Sequence, residues 1–171
     1  MEARKELKEC NRIVIKIGTS SLTHENGKIY YGKMENLARI LADLKNEGKE
    51  IILVSSGAIG IGSERLGWTQ KPKQTEMKQA AAAVGQGILM QIYEKFFNEY
   101  NQIVAQILLT KDVLEDSVKK NNAQNTLRQL LKMGVIPIVN ENDTVATEEI
   151  EESVFGDNDT LSAMVSVLID A

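Results

Sequence analysis

The stretch Pro137-Ile138-Val139-Asn140-Glu141-Asn142-Asp143, followed after an acidic spacer by Phe155-Gly156-Asp157-Asn158-Asp159 and an apolar run from Leu161, decides how this chain folds. Val135 to Val139 is a short continuous apolar run of strand length, and Leu161, Met164, Val165 and Leu168 recur at helical spacing. Asn158 or Asp159 stands where a helix N-cap belongs. The intervening loop therefore leaves the carboxyl end of a strand, where open α/β sheets hold their ligands. Two clusters of short carboxamides and carboxylates at the ends of one loop are costly to order unless they grip something polar. That points to a small charged ligand. Each half also has a plainer reading: acidic residues favoured by a helix dipole at Asp157 to Asp159, and ordinary turn chemistry at Asn140 to Asp143. Their joint occurrence favours a site.

Toward the N-terminus, Arg12 to Ile17 reads as a buried β run that ends at Gly18-Thr19-Ser20-Ser21, with Lys16 interrupting it. A lysine at a strand mouth, followed by a glycine and three hydroxyls, suits a bound phosphate; a snorkelling edge lysine is the alternative. Leu22 to Tyr31 carries Asn26-Gly27, a hairpin signal. Met34, Leu37, Ala38, Leu41 and Leu44 predict an amphipathic helix from Lys33 to Asn46, stopped by Gly48. Glu50 to Val54 is a second buried strand, and it runs into Ser55-Ser56-Gly57-Ala58-Ile59-Gly60-Ile61-Gly62. Glycines there let backbone amides approach an anion, although the loop matches neither the P-loop nor the dinucleotide fingerprint. A long helix is predicted from Lys73 to Phe97, with an apolar stripe of Met77, Ala80, Ala81, Val84, Ile88, Ile92 and Phe96. Gly85 and Gly87 interrupt it, which predicts close packing against another helix, a second subunit being one candidate. Gln102 to Leu109 is the third strand, Asn122 to Met133 a helix stopped by Gly134, and Val135 to Val139 the fourth strand. This order predicts a three-layer α/β/α sandwich with a mostly parallel sheet.

The totals fit one globular domain: 171 residues, 43% hydrophobic and 26% charged. A formal net charge of −4 argues against a nucleic-acid-binding surface, and Glu148, Glu149, Glu151 and Glu152 strengthen that exclusion as a solvated acidic loop. A single cysteine, Cys10, cannot form an internal disulfide, and no apolar run reaches membrane-spanning length. A cytoplasmic location without membrane contact is the expectation. The one histidine, His24, lies beside Asn26-Gly27 and reads as a turn residue, with no cysteine or second histidine to complete a zinc site.

Together these segments resemble the amino-acid kinase family. Val14-Ile15-Lys16-Ile17-Gly18-Thr19-Ser20 is similar to its first-strand phosphate motif and Val54-Ser55-Ser56-Gly57-Ala58-Ile59 to its second. Lys78 to Gln86 resembles its long helix; Ala105 to Thr110, Asn140 to Ala146 and Gly156 to Asp159 complete the set. The branch with these motifs implies ATP-dependent phosphorylation of the γ-carboxylate of L-glutamate, the committed step of proline synthesis, with Mg2+ arriving on the nucleotide. Carried over position by position, the resemblance implies that Lys16 meets the transferring phosphate and that Asp159 organises it. It assigns Ser56, Asp143 and Asn158 to the amino acid, and Gly18, Thr19, Ser20 and Gly57 to phosphate. It also implies a homo-oligomer, with proline a candidate feedback inhibitor. The spacer Thr144 to Phe155 is slightly longer than the family pattern, which leaves the reach from Asp143 to Asn158 open. The family continues into a nucleotide-binding half with a second lysine. Residues 1–171 are accordingly expected to be the N-terminal portion of the kinase domain, truncated at that half and inactive alone. A non-catalytic glutamate-binding or regulatory module, and a related kinase with another acyl or phosphate substrate, stay open at this point.

Overall fold

A computed structural model of the chain describes residues 9–24, 26–70, 72–145 and 157–171. The acidic run Glu148 to Glu152 and the spacer up to Gly156 lie outside the described residues. In chain order the elements are β1 (Arg12–Ile17), α1 (Thr19–Leu22), α2 (Tyr31–Asn46), β2 (Glu50–Ser55), α3 (Ala58–Arg65), α4 (Thr75–Asn98), β3 (Val104–Leu109), α5 (Ser117–Lys132), β4 (Ile136–Glu141) and α6 (Asp157–Ile169), with a short 3-10 turn at Lys111–Leu114. The strands form one sheet in the order β1-β2-β4-β3, and every pairing is parallel.

Alternation along β2 builds two cores. Ile51 and Leu53 face Met34, Ala38 and Leu41 of α2 and Leu89, Tyr93 and Phe97 of α4. Ile52 and Val54 face Leu127 and Leu131 of α5 and Leu161, Val165 and Leu168 of α6. The predicted sandwich is therefore present, helices covering both faces. Each fully buried side chain of this kind contributes about 1.5–3 kcal/mol, so the sheet is held from both sides.

Three departures from the sequence reading concern β1, the segment after it and α4. First, β1 lies at the sheet edge and is only half-buried, because its sole neighbour is β2. Second, the hairpin at Asn26-Gly27 is reduced to one antiparallel bridge, Thr23 with Ile29, since the hydroxyl-rich segment before it winds into α1. Third, the buried stripe of α4 is Ala81, Ala82, Gly85, Gln86, Leu89, Ile92, Tyr93, Phe96 and Phe97, whereas Met77 and Val84 are exposed. Scoring apolarity alone set the phase wrongly, because the packing face uses Gly85 and two polar residues.

The glycine expectation resolves within the chain. A Cβ on Gly85 would lie 1.8 Å from the Ala58 carbonyl oxygen, and one on Gly62 would lie 1.8 Å from that of Ala81. Helices α3 and α4 thus cross backbone to backbone, and Gly85 gives no support to a second subunit. Among the described residues no helix is long and apolar enough to cross a membrane.

Candidate functional site

The carboxyl edge of the sheet collects the residues that the sequence singled out. Ile17 pairs with Ser55 and Val54 with Val139; continued by a residue or two, this register brings Gly18, Ser56 and Glu141 to one level. Lys16 is exposed near the end of β1, and its Nζ reaches Asp159 Oδ1 of α6 at 2.8 Å. The same ammonium lies over the first turn, 3.7 Å from where a Cβ on Gly18 would stand. One residue earlier on α6, Asn158 Nδ2 donates to Ser56 Oγ at 2.5 Å. Two neighbouring residues of one helix turn therefore tie β1 and the β2–α3 turn together. The helix begins at Asp157, so Asn158 and Asp159 are first-turn residues and neither is the predicted N-cap.

The two glycine-bearing turns abut. Gly57 takes a left-handed φ of +107° where β2 swings into α3, a conformation that favours glycine. The Thr19 methyl sits against this turn, 4.0 Å from a Cβ placed on Gly57 and 3.6 Å from one on Gly60. Ser56 N–H donates to the Ile17 carbonyl at 3.0 Å, closing the seam. Ser20 lies on the exposed side of α1. Asp143 follows β4, half-buried, in a turn closed by Val145 N–H donating to the Asn142 carbonyl at 3.1 Å. The structure thus joins Lys16, Asp159, Ser56, Asn158, Gly18, Thr19 and Gly57, and puts Asp143 on the β4 side of the same edge.

The electrostatics suit an anionic ligand. The side chains of Lys16 and Asp159 are 34% and 52% exposed, and pairs in such settings are worth only about 0–1 kcal/mol. Lys16 is oriented at little thermodynamic cost and can exchange part of this partner for a phosphate. Asn158 Oδ1 is buried and has no hydrogen-bond partner among the described residues; as an acceptor, it suits an incoming N–H donor. No group of three or more metal-ligating side chains occurs among the described residues.

Sequence reading missed the polar support beneath this edge. Asn140 is 3% exposed; its Nδ2 donates to Gln86 Oε1 at 2.9 Å, and its Oδ1 accepts from Glu141 N–H at 2.9 Å. Ser55 and Tyr93, both fully buried, share a hydrogen bond of 2.8 Å. Burial pushes the Tyr93 phenol above its ordinary range, with the Ser55 bond pulling it back only in part, so it remains a neutral hydroxyl. The available signal was Gln86 and Tyr93 seven residues apart, two turns of one helix face, on an otherwise apolar stripe.

Comparison with known proteins identifies the family and the fold. Residues 11–171 match the sequence profile described as the amino acid kinase family. The chain is 55% identical to a glutamate 5-kinase of Clostridium perfringens over 98% of its own length and 63% of the relative's. It is 55% identical to one of Moorella thermoacetica (99% of this chain, 44% of the relative). It is 58% identical to one of Caldanaerobacter subterraneus (94% and 42%). The chain thus spans between 42% and 63% of the length of these curated relatives. A crystal structure of UMP kinase from Ureaplasma parvum shares the fold with a TM-score of 0.59 at 16% identity, covering 95% of this chain and 64% of that one. The profile spans nearly the whole chain and the fold accords with it: the chain belongs to the amino acid kinase family.

Proposed function

We propose that the protein carrying these residues transfers the γ-phosphoryl group of MgATP to the γ-carboxylate of L-glutamate, giving γ-glutamyl phosphate and ADP. One observation carries the reading: Lys16–Asp159 and Ser56–Asn158 bring a cation and a polar amino-acid cradle side by side at the carboxyl edge of the sheet. The identity of 55–58% to glutamate 5-kinases supports this choice of acceptor.

The chemistry asks for these parts. A γ-carboxylate is already ionised at neutral pH, so the nucleophile needs no general base. Its difficulty is repulsion by the phosphates it must approach. Lys16, together with amides of the Gly18 and Gly57 turns, offsets that charge as the phosphoryl group moves, while alignment supplies much of the rest. Magnesium, arriving with the nucleotide, neutralises further phosphate charge. Asp143 and the open acceptor on Asn158 suit the substrate's α-ammonium, Ser56 contacts the amino acid while accepting a hydrogen bond from Asn158, and Asp159 keeps the lysine aimed.

The test is ADP release from MgATP with each candidate acceptor by the full-length protein, with hydroxylamine added to trap a carboxylate acceptor's acyl phosphate as its hydroxamate. L-glutamate should support turnover of roughly 1–100 per second, as in ordinary kinases, and L-aspartate and UMP should not. Glutamate binding without ADP release would make the protein a non-catalytic binding module, and faster turnover with another acceptor would reassign the substrate.

A further inference from the structure

We infer that Gln86, on α4, is a positioning residue for the amino-acid site, acting through Asn140; this rests on the reading above. Gln86 is 8% exposed. Its orientation follows from a chain of hydrogen bonds that allows one solution. Glu141 N–H can only donate, so the Asn140 atom that it meets is Oδ1. Asn140 therefore presents Nδ2 to Gln86, and Gln86 must answer with Oε1. Its Nε2 is left buried without a partner among the described residues.

That arrangement is hard to explain as stabilisation. A buried amide that leaves a donor unpaired is worse for folding than an apolar side chain of the same shape. Its place in the fold suggests what it does instead. The preceding residue, Gly85, is pressed against the Ala58 carbonyl in the first turn of α3, so Gln86 bridges the Ser56-Gly57-Ala58 turn and the last residues of β4. Asn140 in turn grips the Glu141 backbone, the lead-in to Asp143. Gln86 thus fixes the separation of two walls that contribute Ser56 and Asp143, and a shift between them would misplace the amino acid while leaving the Lys16 end alone.

Three full-length variants test this by steady-state kinetics and thermal melting: Gln86→Met, Asn140→Leu and the double substitution, which removes both buried partners together. Gln86→Met should raise KM for L-glutamate on the order of tenfold or more, the scale of effect expected from a small misplacement. KM for ATP should stay close to wild type, and so should the melting midpoint, because one buried unpaired amide replaces another. The double variant should match Asn140→Leu in its glutamate KM. Unchanged glutamate KM in Gln86→Met, or a parallel rise for both substrates, overturns the inference. If that variant does not fold, the remaining pair decides: a further rise in the double over Asn140→Leu means that Gln86 acts on its own. A wild-type protein without glutamate-dependent turnover would instead sink the proposed function.

Discussion

Lys16 sits where strand chemistry alone would put an isoleucine or valine. Its exposed pairing with Asp159 adds little to stability, and the proposed function gives it a part in the reaction instead. Lys16→Ala in the full-length protein should lower kcat on the order of a hundredfold or more, since one preorganised donor is worth about 2.7–4 kcal/mol in the transition state. Its melting midpoint should hardly move. Lys16→Arg should recover only part of the rate, a planar fork being a poor copy of a point charge. Hydroxamate kinetics beside a melt check both, and normal turnover in Lys16→Ala would remove the residue from the mechanism. Lys16 stood out in the sequence because it interrupts an apolar run, whereas the amino-acid roles of Ser56 and Asn158 came from the family resemblance, and the structure brings those two side chains together. Gln86 was not, because one amide in a helix is ordinary; only the backbone N–H of Glu141 gives it a defined partner.

At the scale of elements, most strands and helices were legible from periodicity, and the error in α4 fell where packing overrides it. The phase of α4 was misread because Gly85, Gln86 and Tyr93 face inward while Met77 and Val84 face out. No residue-by-residue apolarity count sees that a missing side chain can be the contact. The α3–α4 crossing gives a graded test. Gly62→Ala and Gly85→Ala place a methyl 1.8 Å from a backbone oxygen, forcing the helices apart at a cost of about 1–3 kcal/mol or more. Gly87→Ala meets nothing within 4 Å and should gain up to about 1 kcal/mol from helix propensity. Denaturant midpoints for the three variants measure this directly. Equal behaviour of Gly85→Ala and Gly87→Ala would show that the helices do not cross at Gly85.

Across the whole molecule, the site is made of pieces that folding brings together from far apart: β1, the turn after β2, the turn after β4 and the first turn of α6. The far end of α6 is tied as well. Arg12 donates to the Ile169 carbonyl and Gln124 to that of Leu168, so the helix spans the sheet with polar anchors at both ends. A ligand held by Ser56, Asp143 and Asn158 would therefore clamp elements from both cores, and its binding should be readable as global stability. At a concentration a hundred times its Kd, such a ligand stabilises the native state by about 2.7 kcal/mol, a rise in melting midpoint of a few degrees to about 10 °C. L-glutamate should produce this shift in the wild type. Lys16→Ala should retain most of it, since the lysine is assigned to phosphate. Asn158→Ala and Asp143→Asn should lose most of it at the same glutamate concentration, because the proposed function assigns both residues to the amino acid. Melts with and without L-glutamate separate these outcomes. An undiminished shift in Asn158→Ala would mean that the Ser56–Asn158 bond serves only to dock α6, and the amino acid would then have to be sought elsewhere along the edge.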